Sequence, residues 1–246
     1  MLSALGVMLS AARGLSDGKI QIGLLIFPRM TQLDMTGPFE VFARIPNATV
    51  HLVWKNKEPV VCDTGLTLQP TAALSDCPKL DVICIPGGPG QIDLMEDADV
   101  IDFVRRQGEQ ARYVTSVCTG ALVLGAAGLL RGYKAATHWA SMDNLAYFGA
   151  EAVNVRVCVD RNRITGGGVT AGIDFGLVLA SKLVDQPTAE KIQLYMEYNP
   201  DCLRSFASIW SPSRQQRPAI RACRRTLRPA RRLKERKNKS CKRARA

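Results

Sequence analysis

Tyr113-Val-Thr-Ser-Val-Cys-Thr-Gly-Ala-Leu-Val-Leu-Gly-Ala-Ala-Gly128 is the stretch from which the rest of this 246-residue chain is read. Its first five residues form an apolar run of strand formers that stops at Cys118, and Thr119-Gly120 open a segment rich in Ala and Leu that reads as a helix. The pattern is a strand, a tight turn and a helix, with a thiol at the turn. Such a nucleophile elbow holds a reactive side chain at the end of a central strand, facing the N–H groups of a helix N-terminus. A cysteine in that position is expected to have its pKa lowered toward the thiolate. The competing reading is a buried structural cysteine, the commoner fate of a free Cys in an apolar segment.

Working outward, residues 201–246 hold 16 Lys and Arg against two acids, while residues 1–200 hold 17 against 20. The formal charge of +11 therefore belongs to an appendage. A basic nucleic-acid face on the folded domain is not indicated. The eight cysteines show no CxxC pairing and no His spacing suited to a metal, so no metal site is expected, and scattered thiols suit a reducing cytoplasm. The leader, residues 1–19, is small and apolar at its start with Arg13 the only charge before Asp17. It fits neither a secretory signal nor a membrane span, and we expect it to be disordered. One α/β domain over residues 20–200 and a disordered basic tail over 201–246, able to bind polyanions nonspecifically, complete the expected organisation.

Within that domain, Gln21 to Phe27 reads as a central strand of a parallel sheet covered on both faces. The loop after it leads to a helix expected to begin near Pro38. Asp34 in that loop is either a helix cap or, because strand C-terminal ends share one crevice in an open α/β sheet, a partner for Cys118. Val50–Trp54 and Asp81–Ile85 are further strands, and the short pieces Val60–Cys62 and Leu66–Leu68 form an excursion between them. Pro86-Gly-Gly-Pro-Gly90 then offers Gly87 and Gly88, whose backbone N–H groups either approach a ligand or simply make a turn. A helix from Asp97 to Gln110 leads back to the elbow strand. His51 reads as an ordinary sheet residue. His138 either contacts the cysteine or starts the helix that runs to Phe148. Val153–Val159 reads as a strand, Asp160 to Asn162 as its turn, and Thr165-Gly-Gly-Gly-Val-Thr-Ala-Gly-Ile-Asp174 as a glycine run feeding a helix to Leu183. That run lacks the spacing of a nucleotide site. A last helix is expected from Thr188 to Tyr198, after a break at Gln186-Pro187.

The ordered set Leu33-Asp-Met-Thr-Gly-Pro38, Asp81-Val-Ile-Cys-Ile-Pro-Gly-Gly88, Val114-Thr-Ser-Val-Cys-Thr-Gly-Ala121, Ala136-Thr-His-Trp139 and Thr165–Asp174 resembles the PfpI-like branch of the class I glutamine amidotransferase-like superfamily. Within it the likeness runs to the isonitrile (isocyanide) hydratases. The resemblance covers Ile20 to Asn199. It implies a flavodoxin-like three-layer sandwich with a mostly parallel sheet, usually a homodimer, needing no metal or organic cofactor. It implies Cys118 as nucleophile, Asp34 as its acidic partner, and Thr119 where protease members carry a histidine, which argues against peptidase activity. His138 falls where other members place a pocket histidine.

The implied activity is that of a hydro-lyase acting on a small molecule. Cys118 adds to the isonitrile carbon while Asp34 supplies the proton, and water releases an N-substituted formamide from the thioimidate. Developing charge is expected to meet the N–H groups of Gly87, Gly88 and Thr119. Two alternatives stay open: the ligand-sensing domain of an AraC-type regulator, and a glyoxalase-like enzyme.

Overall fold

The computed structural model describes residues 19–200. The expectations for the leader before Lys19 and for the tail 201–246 lie outside the described residues. In chain order the elements are β1 (Ile20–Leu25), α1 (Gln32–Phe42), β2 (Ala48–Trp54), β3 (Val60–Val61), β4 (Thr67–Leu68), β5 (Ala72–Ala73), β6 (Val82–Ile85), α2 (Gln91–Glu96), α3 (Ala98–Gln110), β7 (Tyr113–Val117), α4 (Gly120–Ala126) and β8 (Lys134–Ala135). A 3₁₀ helix (Trp139–Phe148) follows, then β9 (Glu151–Ala152), β10 (Val157–Asp160), β11 (Arg163–Gly166), α5 (Ala171–Leu183) and α6 (Gln186–Tyr195).

The main sheet has the order β10-β11-β7-β6-β1-β2-β5. All its pairings are parallel except the β10–β11 hairpin. The four residues of β6 are buried, as are the last four of β1 and of β7, which is what a sheet covered on both faces demands. Helices α1, α5 and α6 form one covering layer, and α2, α3, α4 and the 3₁₀ helix form the other. The flavodoxin-like sandwich expected from the sequence is therefore the observed fold. Phe42 of α1 and Phe175 of α5 are fully buried and meet edge to face, ring centroids 5.8 Å apart. Each such ring contributes about 1.5–3 kcal/mol by burial. Gly172 and Gly176 let α1 come close: a methyl on Gly176 would lie 3.0 Å from Val41 Cβ, and one on Gly172 2.9 Å from Pro38 Cδ.

Several boundaries differ from expectation. Helix α1 begins at Gln32, six residues before Pro38, so Asp34 lies in its first turn and not in a loop. The proline sits in the helix interior, its ring packed where Gly172 has no side chain. Val153–Val159 is not one strand: Glu151–Ala152 pairs with β8, and only Val157 onward joins the main sheet. The start of the glycine run is itself a strand, β11, parallel to β7. Helix α6 starts at Gln186 because Asp185 caps it, accepting from Thr188 N–H at 2.8 Å, with Pro187 in the first turn where a missing N–H costs nothing. The segment through Phe148 is 3₁₀ rather than α. Among the described residues no helix is long and apolar enough to cross a membrane.

Candidate active site

Register brings the site together. Ser116 lies opposite both Ile85 of β6 and Thr165 of β11, so three neighbouring strands end on one rim, where Pro86, Cys118 and Gly167 leave the sheet. Cys118 takes φ +57°, a left-handed backbone that costs a side-chain-bearing residue on the order of 1–3 kcal/mol and persists only where its surroundings hold it. They do so here. Its N–H donates to Gly166 O at 3.0 Å, and its carbonyl accepts from Thr137 Oγ1 at 2.7 Å. The next helix presses onto the end of β6: a methyl on Gly120 would lie 2.0 Å from Ile85 O.

Asp34 comes from the opposite side of the rim and is fully buried. Its Oδ2 accepts from Gly87 N–H at 3.1 Å, across the sheet, and not from an N–H of its own helix. The capping reading therefore fails: Thr31 is the N-cap residue of α1, and Asp34 faces the thiol. The Asp34 carboxyl and the Cys118 thiol shift each other's protonation as neighbours, while Asp34 Oδ1 is buried without a hydrogen-bond partner. Burial raises the Asp34 carboxyl from 3.8 to about 7, opposed by the hydrogen bonds from Cys118 and Gly87 and reinforced by the negative charge of Asp63.

The lowered cysteine pKa expected at an elbow is not what the surroundings produce. Burial and the charge of Asp34 push the Cys118 thiol up, outweighing the N–H and hydroxyl of Thr119, which favour the thiolate. Helix α4 has only seven residues and Cys118 is 5% exposed, so a weak dipole acts against strong desolvation. The resting site holds a thiol beside a carboxyl that exchanges its proton near neutrality.

Gly87 and Gly88 play a different part from the expected oxyanion donors. The Gly87 N–H is held by Asp34, and the Gly88 N–H donates to Thr119 Oγ1 at 3.0 Å, so both N–H groups are engaged within the protein. They orient the acid and the threonine. The backbone N–H of Thr119, which favours the Cys118 thiolate, is the donor left for the reacting side. His138 caps the 3₁₀ helix, its Nδ1 accepting from Ala140 N–H at 3.4 Å, and burial lowers its pKa. It borders the glycine turn, with its Cδ2 3.3 Å from where a Gly168 methyl would sit. His51 bonds Gln21 Oε1 at 2.7 Å within the sheet, as an ordinary strand residue.

Two residues at the site carried no signal in the sequence. Thr137 was hidden beside the more conspicuous His138. Asp63, on the β3–β4 hairpin, accepts from Thr31 Oγ1 at 2.8 Å and adds its charge to the surroundings of Asp34. A surface groove of about 340 Å³ lined by Lys55, Leu74, Asp99, Phe103 and Arg106 shares no residue with this site. Among the described residues no cluster of three His, Cys, Asp or Glu could hold a metal ion.

Comparison with known proteins agrees with this architecture. The chain is 59% identical over 181 residues to a Pseudomonas putida protein named isonitrile hydratase, covering 74% of this chain and 79% of that one. It is 32% identical over 134 residues to the Pseudomonas aeruginosa transcriptional regulator GbdR, covering 54% of this chain and 36% of the regulator. Among solved structures, a ThiJ/PfpI family protein from Pseudomonas syringae superposes with TM-score 0.82 at 40% identity, covering 92% of this chain and 98% of the other. Drosophila melanogaster DJ-1beta shares the fold at TM-score 0.68 and 21% identity, covering 74% of this chain and all of the other. With the family pattern matching residues 20–182, this chain belongs to the DJ-1/PfpI family.

Proposed function

We propose that this chain is an isonitrile hydratase, converting an isonitrile to an N-substituted formamide with Cys118 as nucleophile and Asp34 as acid and base. The observation that carries the reading is a fully buried carboxyl set against the thiol of a strained elbow, in a chain similar over most of its length to a protein of that name.

An isonitrile carbon has a lone pair and no leaving group, so it needs a proton and a nucleophile on the same atom. The Asp34–Cys118 pair carries both. Ionised Asp34 takes the thiol proton as sulfur attacks and delivers it to the carbon. The C–S and C–H bonds form, the S–H bond breaks, and the product is a thioimidate, R–N=CH–S–Cys. Asp34 next removes a proton from water, whose oxygen adds to that carbon. Nitrogen takes up one proton, the C–S bond breaks, and sulfur is reprotonated as R–NH–CHO leaves. No electrons are gained or lost. The Thr119 N–H stabilises negative charge on sulfur at both stages. This scheme places the reaction among the carbon–oxygen lyases. Thiol with carboxylate, or thiolate with carboxylic acid, contain the same single proton, so the raised thiol pKa leaves the stoichiometry unchanged and changes only where the proton rests.

The regulator likeness is confined to about a third of that protein's length, and the match to a Caenorhabditis elegans glyoxalase reaches 28% identity over 51% of this chain. Both alternatives are less well supported than the hydratase. Residues 20–200 are taken as the catalytic unit, and a homodimer is part of the same reading. The test is incubation of purified protein with an aryl isonitrile and detection of the formamide by mass. Turnover supports the proposal, and a folded protein that leaves the isonitrile intact but consumes glyoxal contradicts it.

A further inference from the structure

We propose that Thr137 is a positioning residue for this reaction, its hydroxyl locking the Cys118–Thr119 peptide so that the sulfur meets Asp34 and the Thr119 N–H together. The kinetic part of this inference rests on the hydratase reading; the geometric part does not.

Thr137 is 3% exposed, and its Oγ1 donates to the Cys118 carbonyl at 2.7 Å. In a trans peptide the carbonyl and the following N–H point in opposite directions. A donor fixed on the Cys118 oxygen therefore also fixes the direction of the Thr119 N–H, the group that favours the Cys118 thiolate. The hydroxyl is itself held in place. Ala136 N–H donates to Thr165 Oγ1 at 2.8 Å, and Thr165 is fully buried on β11. The same strand ends at Gly166, whose carbonyl takes the Cys118 N–H at 3.0 Å. The peptide groups on either side of the Cys118 Cα are thus gripped from one scaffold, as a residue at φ +57° requires. Thr137 acts through Cys118, so its loss is expected to change turnover more than binding.

The experiment compares Thr137→Val and Thr137→Ala, which remove the donor, with Thr137→Ser, which keeps it. Two quantities are measured: the rate of Cys118 alkylation by iodoacetamide at pH 8, and kcat and KM with an aryl isonitrile. Without the donor, alkylation is expected to slow at least about tenfold and kcat to fall about a hundredfold, with KM within about threefold, as expected when reacting groups are misplaced by about an ångström. Thr137→Ser should restore both. Folded Val or Ala variants with wild-type alkylation and kcat overturn the proposal. So does a Ser variant as impaired as they are, and so does failure of both Val and Ala to fold, which would make the hydroxyl a requirement of the fold itself. If the wild type hydrates no isonitrile, the function reading falls while the alkylation contrast still decides the role of Thr137.

Discussion

The turns Pro86-Gly-Gly-Pro-Gly90 and Gly166-Gly-Gly168 look alike in sequence, glycines strung after a buried strand, yet they serve opposite sides of the site by opposite means. The first uses its N–H groups, from Gly87 to Asp34 and from Gly88 to Thr119. The second uses a carbonyl, Gly166 O to the Cys118 N–H, and turns its Gly167 N–H outward to Arg156 O at 2.9 Å. Their tightness differs as well. A methyl on Gly87 would lie 2.6 Å from Thr119 N and 2.9 Å from Asp34 Oδ2, whereas one on Gly166, Gly167 or Gly168 meets nothing nearer than 3.2 Å. Backbone compression, and not glycine content, distinguishes the turn that presses on the reacting groups.

The largest effect should come from removing the group that both turns serve. Cys118→Ala is expected to abolish hydration with the fold retained, because the elbow is held through its backbone, while Cys84→Ala and Cys158→Ala should change stability and leave the rate near wild type. Formamide yield and circular dichroism on the three variants check this. Gly87→Ala breaks the tight turn: it should cost about 1–3 kcal/mol by overpacking and about a hundredfold in rate as Asp34 and Thr119 are pushed apart, read from urea denaturation and kcat.

A smaller effect sharpens what the tight turn holds. With Asp34 titrating at about 7 and ionised Asp34 as the working base, kcat/KM should rise about tenfold from pH 6 to pH 8. Stability should move the other way. The native state keeps the Asp34 proton up to about 7 while the unfolded chain releases it near 3.8, so this group's contribution is full below about pH 4 and is lost as pH rises to about 7. The smallest effect belongs to the loose turn. Gly168→Ala, facing only the His138 ring edge, should stay within about 0.5 kcal/mol and about twofold in rate. A Gly168→Ala variant as damaged as Gly87→Ala would erase the distinction between the turns.

Legibility from the sequence follows the same division. The elbow, the central strands and the meeting of Asp34 with Cys118 were readable because apolar runs and strand ends are local signals that topology then combines. Strand β11 was not, since Arg163-Ile-Thr-Gly166 is four residues long and dissolves into the glycines after it. The start of α1 is misplaced because proline usually marks a first turn, whereas Pro38 sits inside the helix with its ring packed closely against Gly172 of another helix. The direction of the Cys118 pKa shift was missed because it depends on desolvation, which composition does not give. The roles of Gly87, Gly88 and Thr137 depend on which N–H or hydroxyl meets which oxygen across the sheet rim, and no spacing rule encodes that.

The most direct test of the Asp34–Cys118 account is the hydration rate of Asp34→Asn relative to wild type at pH 8. Asn can still accept the Gly87 N–H through its side-chain oxygen but carries no exchangeable acid, so the variant should fold, should be no less stable than wild type at this pH, and should lose at least about a hundredfold in rate. A folded Asp34→Asn protein that hydrates isonitriles at close to the wild-type rate would contradict the account.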